Sequence, residues 1–199
     1  MVKPEPEFEK IAKGPDCVFC AAAELLLPEK GEPVLSVLPS VVTDEPEADE
    51  DGLLLAAKRS ASIMERLGFD PEITVFDTTE YVSSSVTEHM LPACGADITV
   101  AGTDEPYAEA SFGGVRVSFA SVNDIREEEG SVEIYVETEE PYRSRGFGTL
   151  CVASLRDFLV KKGKTVKYVT ETDNAPSLRV AEKAGFIKTC RRLTAVFYK

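Results

Sequence analysis

Histidine and cysteine are scarce in this chain. One histidine and five cysteines in 199 residues leave little for metal binding or thiol chemistry. Cys17-Val-Phe-Cys20 is a lone C-x-x-C pair. A zinc site needs two further ligands, and Cys94, Cys190 or the single His89 would supply them only if the fold gathered them. The cysteines are too few and too scattered for a disulfide framework. They are read as ordinary semi-buried thiols, and no metal is expected. His89, in Val86-Thr-Glu-His-Met90, has no nucleophile pattern beside it and reads as a surface or helix-end residue. The chain also lacks an apolar run long enough to span a bilayer. Its start, Met1-Val-Lys-Pro-Glu-Pro-Glu-Phe8, does not have the apolar stretch of a signal peptide. The expectation is a cytoplasmic protein with no membrane partner.

A basic excess is missing too. Residues 1–100 carry 20 Asp/Glu against 7 Lys/Arg, and residues 101–199 carry 15 of each, so the net charge of −13 lies in the first half. With no surplus of cations to displace phosphate counterions, no nucleic-acid partner is expected. Six of the eight residues 44–51 are acidic, which reads as a solvated loop or linker. The balanced second half tolerates a bound polyphosphate, and the acidic first half suits a cationic amine. Hydrophobic content of 43% is ordinary for a soluble fold, and 199 residues can bury one large core or two small ones.

In the first half, helices are predicted over 8–13 and over 20–27, the latter ending at Pro28. A strand pair broken at Pro39 is predicted over 33–42. A helix over 52–67 has apolar positions Leu53, Ala56, Ala57, Ile63, Met64 and Leu67 and stops at Gly68. Residues 72–76 read as a short strand. Thr78 or Thr79 is read as the cap of a helix running to Met90, closed by Leu91-Pro92. Residues 98–101 form another short strand. In the second half 114–121 alternates like a strand and 124–130 is a charged turn. Ser131–Thr138 alternates again, with Val132, Ile134 and Val136 on one face and Glu133, Tyr135 and Glu137 on the other. A helix over 149–162 carries Cys151, Leu155, Phe158 and Leu159 on one stripe and ends at Gly163. A strand over 165–171, a short helix over 176–184 capped near Asn174, and a hairpin of 186–190 with 193–198 complete the chain.

The most informative run is Pro141-Tyr-Arg-Ser-Arg-Gly-Phe-Gly-Thr149, between a predicted strand and a predicted helix. Glycines at 146 and 148 let a bulky anion approach the main chain, and the N–H groups and dipole of the helix start favour a diphosphate there. A second run follows, Asn174-Ala-Pro-Ser-Leu-Arg-Val-Ala-Glu-Lys-Ala-Gly-Phe186. Ser177, Ala181 and Ala184 make a stripe of small residues on its helix, suited to a thin ligand chain or to close packing on a sheet.

Together the two runs resemble the GNAT superfamily of acyl-CoA-dependent N-acyltransferases. Arg143-Ser-Arg-Gly146-Phe-Gly148 fits its Arg/Gln-x-x-Gly-x-Gly/Ala loop, and Asn174, Ser177 and Glu182-Lys-Ala-Gly-Phe186 fit its second conserved stretch. The resemblance spans roughly residues 111–199 and is closest to the antibiotic-resistance-like branch, which has a divergent N-terminal half. It implies a mixed, mostly antiparallel α/β sheet with helices on both faces. Residues 106–199 would be the acyl-CoA-binding core and 1–105 a divergent α/β half that helps build the acceptor site.

The implied co-substrate is acetyl-CoA, and the implied partner is a small-molecule amine; the sequence leaves a homodimer open. Coenzyme contacts would come from Val136, Glu137 and Thr138 on a splayed strand, from Arg143, Ser144, Arg145, Gly146, Phe147, Gly148 and Thr149 in the loop, and from Asn174 and Ser177. The N–H of Val136 would serve the oxyanion. Glu133 is the candidate base, or else a hydrogen-bonded structural carboxylate, and Tyr135 would orient the amine beside it. Many family members carry a tyrosine that reprotonates the leaving thiolate where Ala181 stands here. That favours one alternative, a coenzyme-binding or sensor module without catalysis; a second alternative is an acyltransferase acting on protein, with the N-terminal half as its docking domain. Tyr168 and Tyr198 are acids by chemistry that the sequence does not place.

Overall fold

The computed structural model describes residues 19–37, 47–66, 72–86, 94–126 and 130–198. The expected helix at 8–13, the second arm of the strand pair after residue 37, Cys17, Gly68, His89 and Pro92 lie outside them. Nine strands and three α-helices are present among the described residues. The chain forms two compact units, one of Met1–Thr78 with Cys190–Lys199 and one of Thr79–Thr189. No helix among the described residues is long and apolar enough to cross a membrane.

In the first unit β1 (Phe19–Pro28) and β2 (Val34–Val37) are antiparallel. The last strand, β9 (Ile187–Tyr198), runs antiparallel to the other edge of β1, from Phe19 opposite Tyr198 to Pro28 opposite Cys190. Residues 20–27 are thus a strand where a helix was expected. Ala and Leu are good helix formers, but propensity is a small term that tertiary context overrides. Here alternation decides: Ala23 and Leu25 are fully buried on one face, and each leucine so buried contributes about 1.5–3 kcal/mol. Helix α1 (Glu50–Arg66) covers that face with Leu53, Ala56, Ala57 and Ala61, against Leu193 and Ala195 of β9. The side chain of Asp49 accepts a hydrogen bond from the Gly52 N–H at 2.7 Å, and Glu50 and Asp51 sit in the first turn. Both features suit a helix N-terminus.

The expected terminal hairpin is one continuous strand. Arg191 and Arg192, at the expected turn, are held by partners across the sheet. Arg191 donates to both carboxylate oxygens of Asp77, at 2.9 and 2.7 Å, and to Glu50 at 3.0 Å. Arg192 pairs with Glu24 at 3.3 Å. A planar guanidinium fits a carboxylate in this two-pronged way.

Strand β3 (Glu72–Ser83) is longer than its expected five residues and replaces the expected helix start at Thr78 or Thr79. Thr79, Tyr81 and Ser83 are buried at alternate positions, a period no helix has. The Thr79 hydroxyl meets that of Thr172 at 3.0 Å, and Tyr81 joins the second core.

In the second unit the strand order is β3-β8-β7-β6-β5-β4. Here β4 is Asp97–Ala101, β5 Tyr107–Phe112, β6 Val115–Arg126, β7 Ser131–Thr138 and β8 Thr165–Glu171. The strand at 107–112 had no sequence reading; it pairs with β4 and β6 as an antiparallel meander. Strand β6 continues to Arg126, through the start of the expected charged turn. Helix α2 (Phe147–Lys161) packs its Cys151, Leu155 and Leu159 stripe into a core with Val132 and Ile134 of β7 and Val166 and Tyr168 of β8. Helix α3 (Ala175–Lys183) adds Ala181 and, just past its end, Ala184 and Phe186. The mixed α/β class is as expected; the expected β-β-α-β-α-β-β order of the core has one strand fewer, because its last two strands are the single β9.

Candidate functional site

Strands β7 and β8 run parallel, and their ladder joins Ser131 to Thr165, Val132 to Val166 and Glu133 to Lys167. Glu133–Lys167 is its last pair, although β7 continues to Thr138 and β8 to Glu171. Beyond it the two strands part, so β7 turns backbone groups toward open space. A strand edge freed in this way can take an extended ligand as an added strand.

A cleft of about 780 Å³ opens beside this splay. Val136, Glu137 and Thr138 line it from β7, and Asn174 and Ser177 from the start of α3. Between them runs the loop Arg143, Ser144, Arg145 and Gly146, continuing into Phe147, Gly148 and Thr149 of α2. All twelve residues expected at the coenzyme are therefore brought to one cavity.

The loop is built for close approach. Gly146 precedes α2 at φ 91°, a left-handed conformation that side chains disfavour. Gly148 lies so near β7 that a Cβ there would stand 3.0 Å from Thr138 Oγ1. The first bond of the helix is from the Leu150 N–H to the Gly146 carbonyl at 3.0 Å, and no side chain caps this end. The N–H groups ahead of it are those a helix leaves without intrahelical partners, at the positive end of its dipole.

Neighbouring side chains hold this frame. Arg143 Nε donates to the Thr138 carbonyl at 3.1 Å, tying loop to strand. Ser118 donates to the Glu137 carbonyl at 2.9 Å and meets the Thr138 hydroxyl at 2.9 Å. The Arg145 guanidinium lies 4.8 Å from the Phe112 ring, 5.1 Å from Phe147 and 5.6 Å from Tyr142. Such contacts hold a cation without neutralising it. Four lining residues are cationic, Arg143, Arg145, Arg179 and Lys183, against one carboxylate, Glu137. In a chain of net charge −13 this is a local reversal of sign, and it suits a polyanion.

Glu133 and Tyr135 are not among the residues lining the cleft. Glu133 is half-buried and accepts a hydrogen bond from Asn123 Nδ2 at 2.8 Å. Asn123 is the extra residue of a β-bulge, where the register between β6 and β7 shifts from Val122 to Asp124. Tyr135 is 43% exposed.

The cleft also takes in residues the sequence did not single out as coenzyme contacts: Tyr142, Tyr168, Pro176, Arg179, Val180 and Lys183. Arg179 and Lys183 were legible as an i, i+4 pair on the second motif's helix. Tyr168 was not, because its place depends on where α3 lands. Its hydroxyl meets Ser177 Oγ at 2.8 Å, and its ring packs on Phe186 with centroids 5.9 Å apart. Burial raises its pKa above the ordinary 10.0, and the Ser177 bond works the other way. Among the described residues no group of three or more His, Cys, Asp or Glu is placed to hold a metal ion.

Residues 120–195 match the family model described as FR47-like protein. Among solved structures, a GCN5-related N-acetyltransferase-like protein from Streptococcus suis 89/1591 aligns over 97% of both chains at 15% identity, with a TM-score of 0.50. A GNAT-family protein from Novosphingobium aromaticivorans aligns over 65% of this chain and 68% of its own, at 15% identity and a TM-score of 0.51. A Drosophila protein aligns over 73% of this chain and 58% of its own, at 11% identity and a TM-score of 0.54. No curated protein matches the chain. The family match covers residues 120–195, and the solved structures share their fold with this chain.

Proposed function

We propose that the chain is an N-acetyltransferase that moves an acetyl group from acetyl-CoA to a primary amine of a small molecule. One observation carries this reading: the uncapped start of α2 and the freed edge of β7 face the same cationic cleft. The coenzyme supplies an activated thioester. The N–H groups of Gly146 to Thr149, with Arg143 and Arg145, hold the pyrophosphate. Arg179 and Lys183 add positive charge on the opposite wall. The edge of β7 from Val136 to Thr138 pairs with the pantetheine arm, and Asn174 and Ser177 close over it. The Val136 N–H stabilises the oxyanion that forms when the amine attacks. Glu133 takes the amine proton, directly or through water, and Tyr135 orients the amine. The acidic first hundred residues favour a cationic acceptor such as an amino acid, a polyamine or an aminoglycoside-like compound.

A second reading, a coenzyme-binding protein without catalysis, is favoured by Ala181. It is fully buried and carries no acid where many relatives have tyrosine. Calorimetry with acetyl-CoA and free coenzyme A tests the cleft, with Gly146→Glu as the control. Binding in the micromolar range or tighter, lost in the variant, is the expected result. A turnover screen then decides between the readings, with spermidine, kanamycin, amino acids and short peptides as acceptors. Binding without turnover on any of them would leave the binding protein as the better account.

A further inference from the structure

Acetyl transfer leaves a thiolate that must gain a proton, and Ala181 offers none. The cleft supplies an alternative from a different element. An arm lying along β7 from the pyrophosphate loop runs from Thr138 back toward the last β7–β8 pair, Glu133–Lys167. The stretch from Thr138 to Ile134, just short of that pair, is about 13 Å at about 3.3 Å per residue. Its reactive end then points to the apex of the splay. Tyr168 is the first residue of β8 beyond the last pair, level with Ile134, and it lines the cleft. The other tyrosine of the cleft, Tyr142, sits in the aromatic group beside Arg145, at the loop end.

We infer that Tyr168 is the general acid of this site, donating its phenolic proton to the departing sulfur. The assignment rests on the acetyltransferase reading above. Two contacts fix the phenol. The ring is 3% exposed and clamped by Phe186, and the hydroxyl meets Ser177 Oγ at 2.8 Å. Ser177 is itself anchored, because its N–H donates to Asn174 Oδ1 at 3.2 Å. Asn174, Ser177 and Tyr168 thus form a chain from the cap of α3 to the apex of the splay.

In the step, the amine nitrogen bonds to the carbonyl carbon and the C–S bond breaks. Tyr168 O–H passes its proton to sulfur, giving the free thiol. Glu133 takes the proton lost by the amine nitrogen and gives it up to solvent, and solvent returns one to the phenolate through Ser177, so charge and protons balance. Burial, which favours the neutral phenol, keeps it protonated and ready at neutral pH.

The test is Tyr168→Phe, which keeps the ring and removes the hydroxyl, with Ser177→Ala as a second variant that frees the phenol. Each is assayed for acetyl-CoA affinity by calorimetry and for thiol release with whichever screened amine the native chain accepts. For Tyr168→Phe the expected result is affinity and KM within about three-fold and kcat lower by about 10- to 100-fold, at the low end of general-acid effects because a thiolate leaves readily. The solvent deuterium isotope effect on kcat should also shrink toward unity. For Ser177→Ala a loss in kcat of about three- to ten-fold is expected. Unchanged kcat in Tyr168→Phe, with an active native chain, overturns the assignment alone. Loss of acetyl-CoA binding together with turnover makes Tyr168 a packing residue and also overturns it. A native chain that binds acetyl-CoA but accepts no amine overturns the acetyltransferase reading, and this inference falls with it.

Discussion

Two helices begin at the same cleft in opposite ways. Helix α3 starts from Asn174, whose side chain accepts from the Ser177 N–H, with a proline in its first turn. Its far end is tied as well: Arg156, 1% exposed, donates to the Ala184 carbonyl and pairs with Asp157. Helix α2 starts from a left-handed glycine with no side-chain cap. An orphan N–H is costly when nothing satisfies it, so an end left bare beside cationic side chains is suited to a ligand. The chain caps one helix start at the cleft and leaves the other without a side-chain cap, as a wall and a socket for the proposed coenzyme would need.

The contrast can be broken at its open end first. Gly146→Glu should weaken acetyl-CoA binding by at least about 100-fold, or about 2.7 kcal/mol, read by calorimetry. It forces a side chain onto a φ of 91° and places a carboxylate where the diphosphate would lie. Retained affinity would mean that the α2 start is an ordinary turn. The closed helix is broken from its far end by Arg156→Met, which leaves the Ala184 carbonyl buried without this donor. We expect a loss of about 2 kcal/mol in urea unfolding, in the range for an orphaned buried acceptor. An unchanged midpoint would show that α3 needs no tie there.

Asn174→Ala removes the cap and should cost about 1 kcal/mol, a fall in Tm of about 2–4 °C for a chain of this size. Its effect on acetyl-CoA affinity should be far smaller than that of Gly146→Glu; equal effects would erase the distinction between wall and socket.

The last test concerns the buried face of α2 and shows itself only at alkaline pH. Burial is the main cause that raises the Cys151 pKa from 9.0 to about 11, and a bond to Ser118 opposes it. The native state holds this proton more tightly than the unfolded chain. Its contribution is therefore complete below pH 9 and is lost as pH rises toward 11. Over that window the urea midpoint of the native chain should fall more steeply than that of Cys151→Ala. Parallel curves would remove Cys151 from the account.

Much of this was legible along the chain, because the signals are local. The glycines at 146 and 148, the cap at Asn174 and the alternation of Ser131–Thr138 each depend on residues a few positions apart, and each expected feature is present. Other segments were misread where the deciding partner is far away. Residues 19–28 are a strand because β9 lies beside them, with Phe19 opposite Tyr198. Residues 78–83 are a strand with cross-sheet partners. Thr79 meets Thr172, and the Thr189 hydroxyl donates to the Glu80 carbonyl at 3.2 Å, 109 residues away in sequence. Arg191 and Arg192 look like a turn only until Asp77, Glu50 and Glu24 are placed.

Local sequence alone was enough for the two helix starts at the cleft, the strand that leads into the loop and the fold class. Each follows from backbone geometry and capping chemistry within one or two turns. Only the tertiary structure decided where β7 and β8 part, which face α1 covers and that Tyr168 meets Ser177. Those outcomes depend on register and packing between distant segments, and no window of the sequence contains both partners.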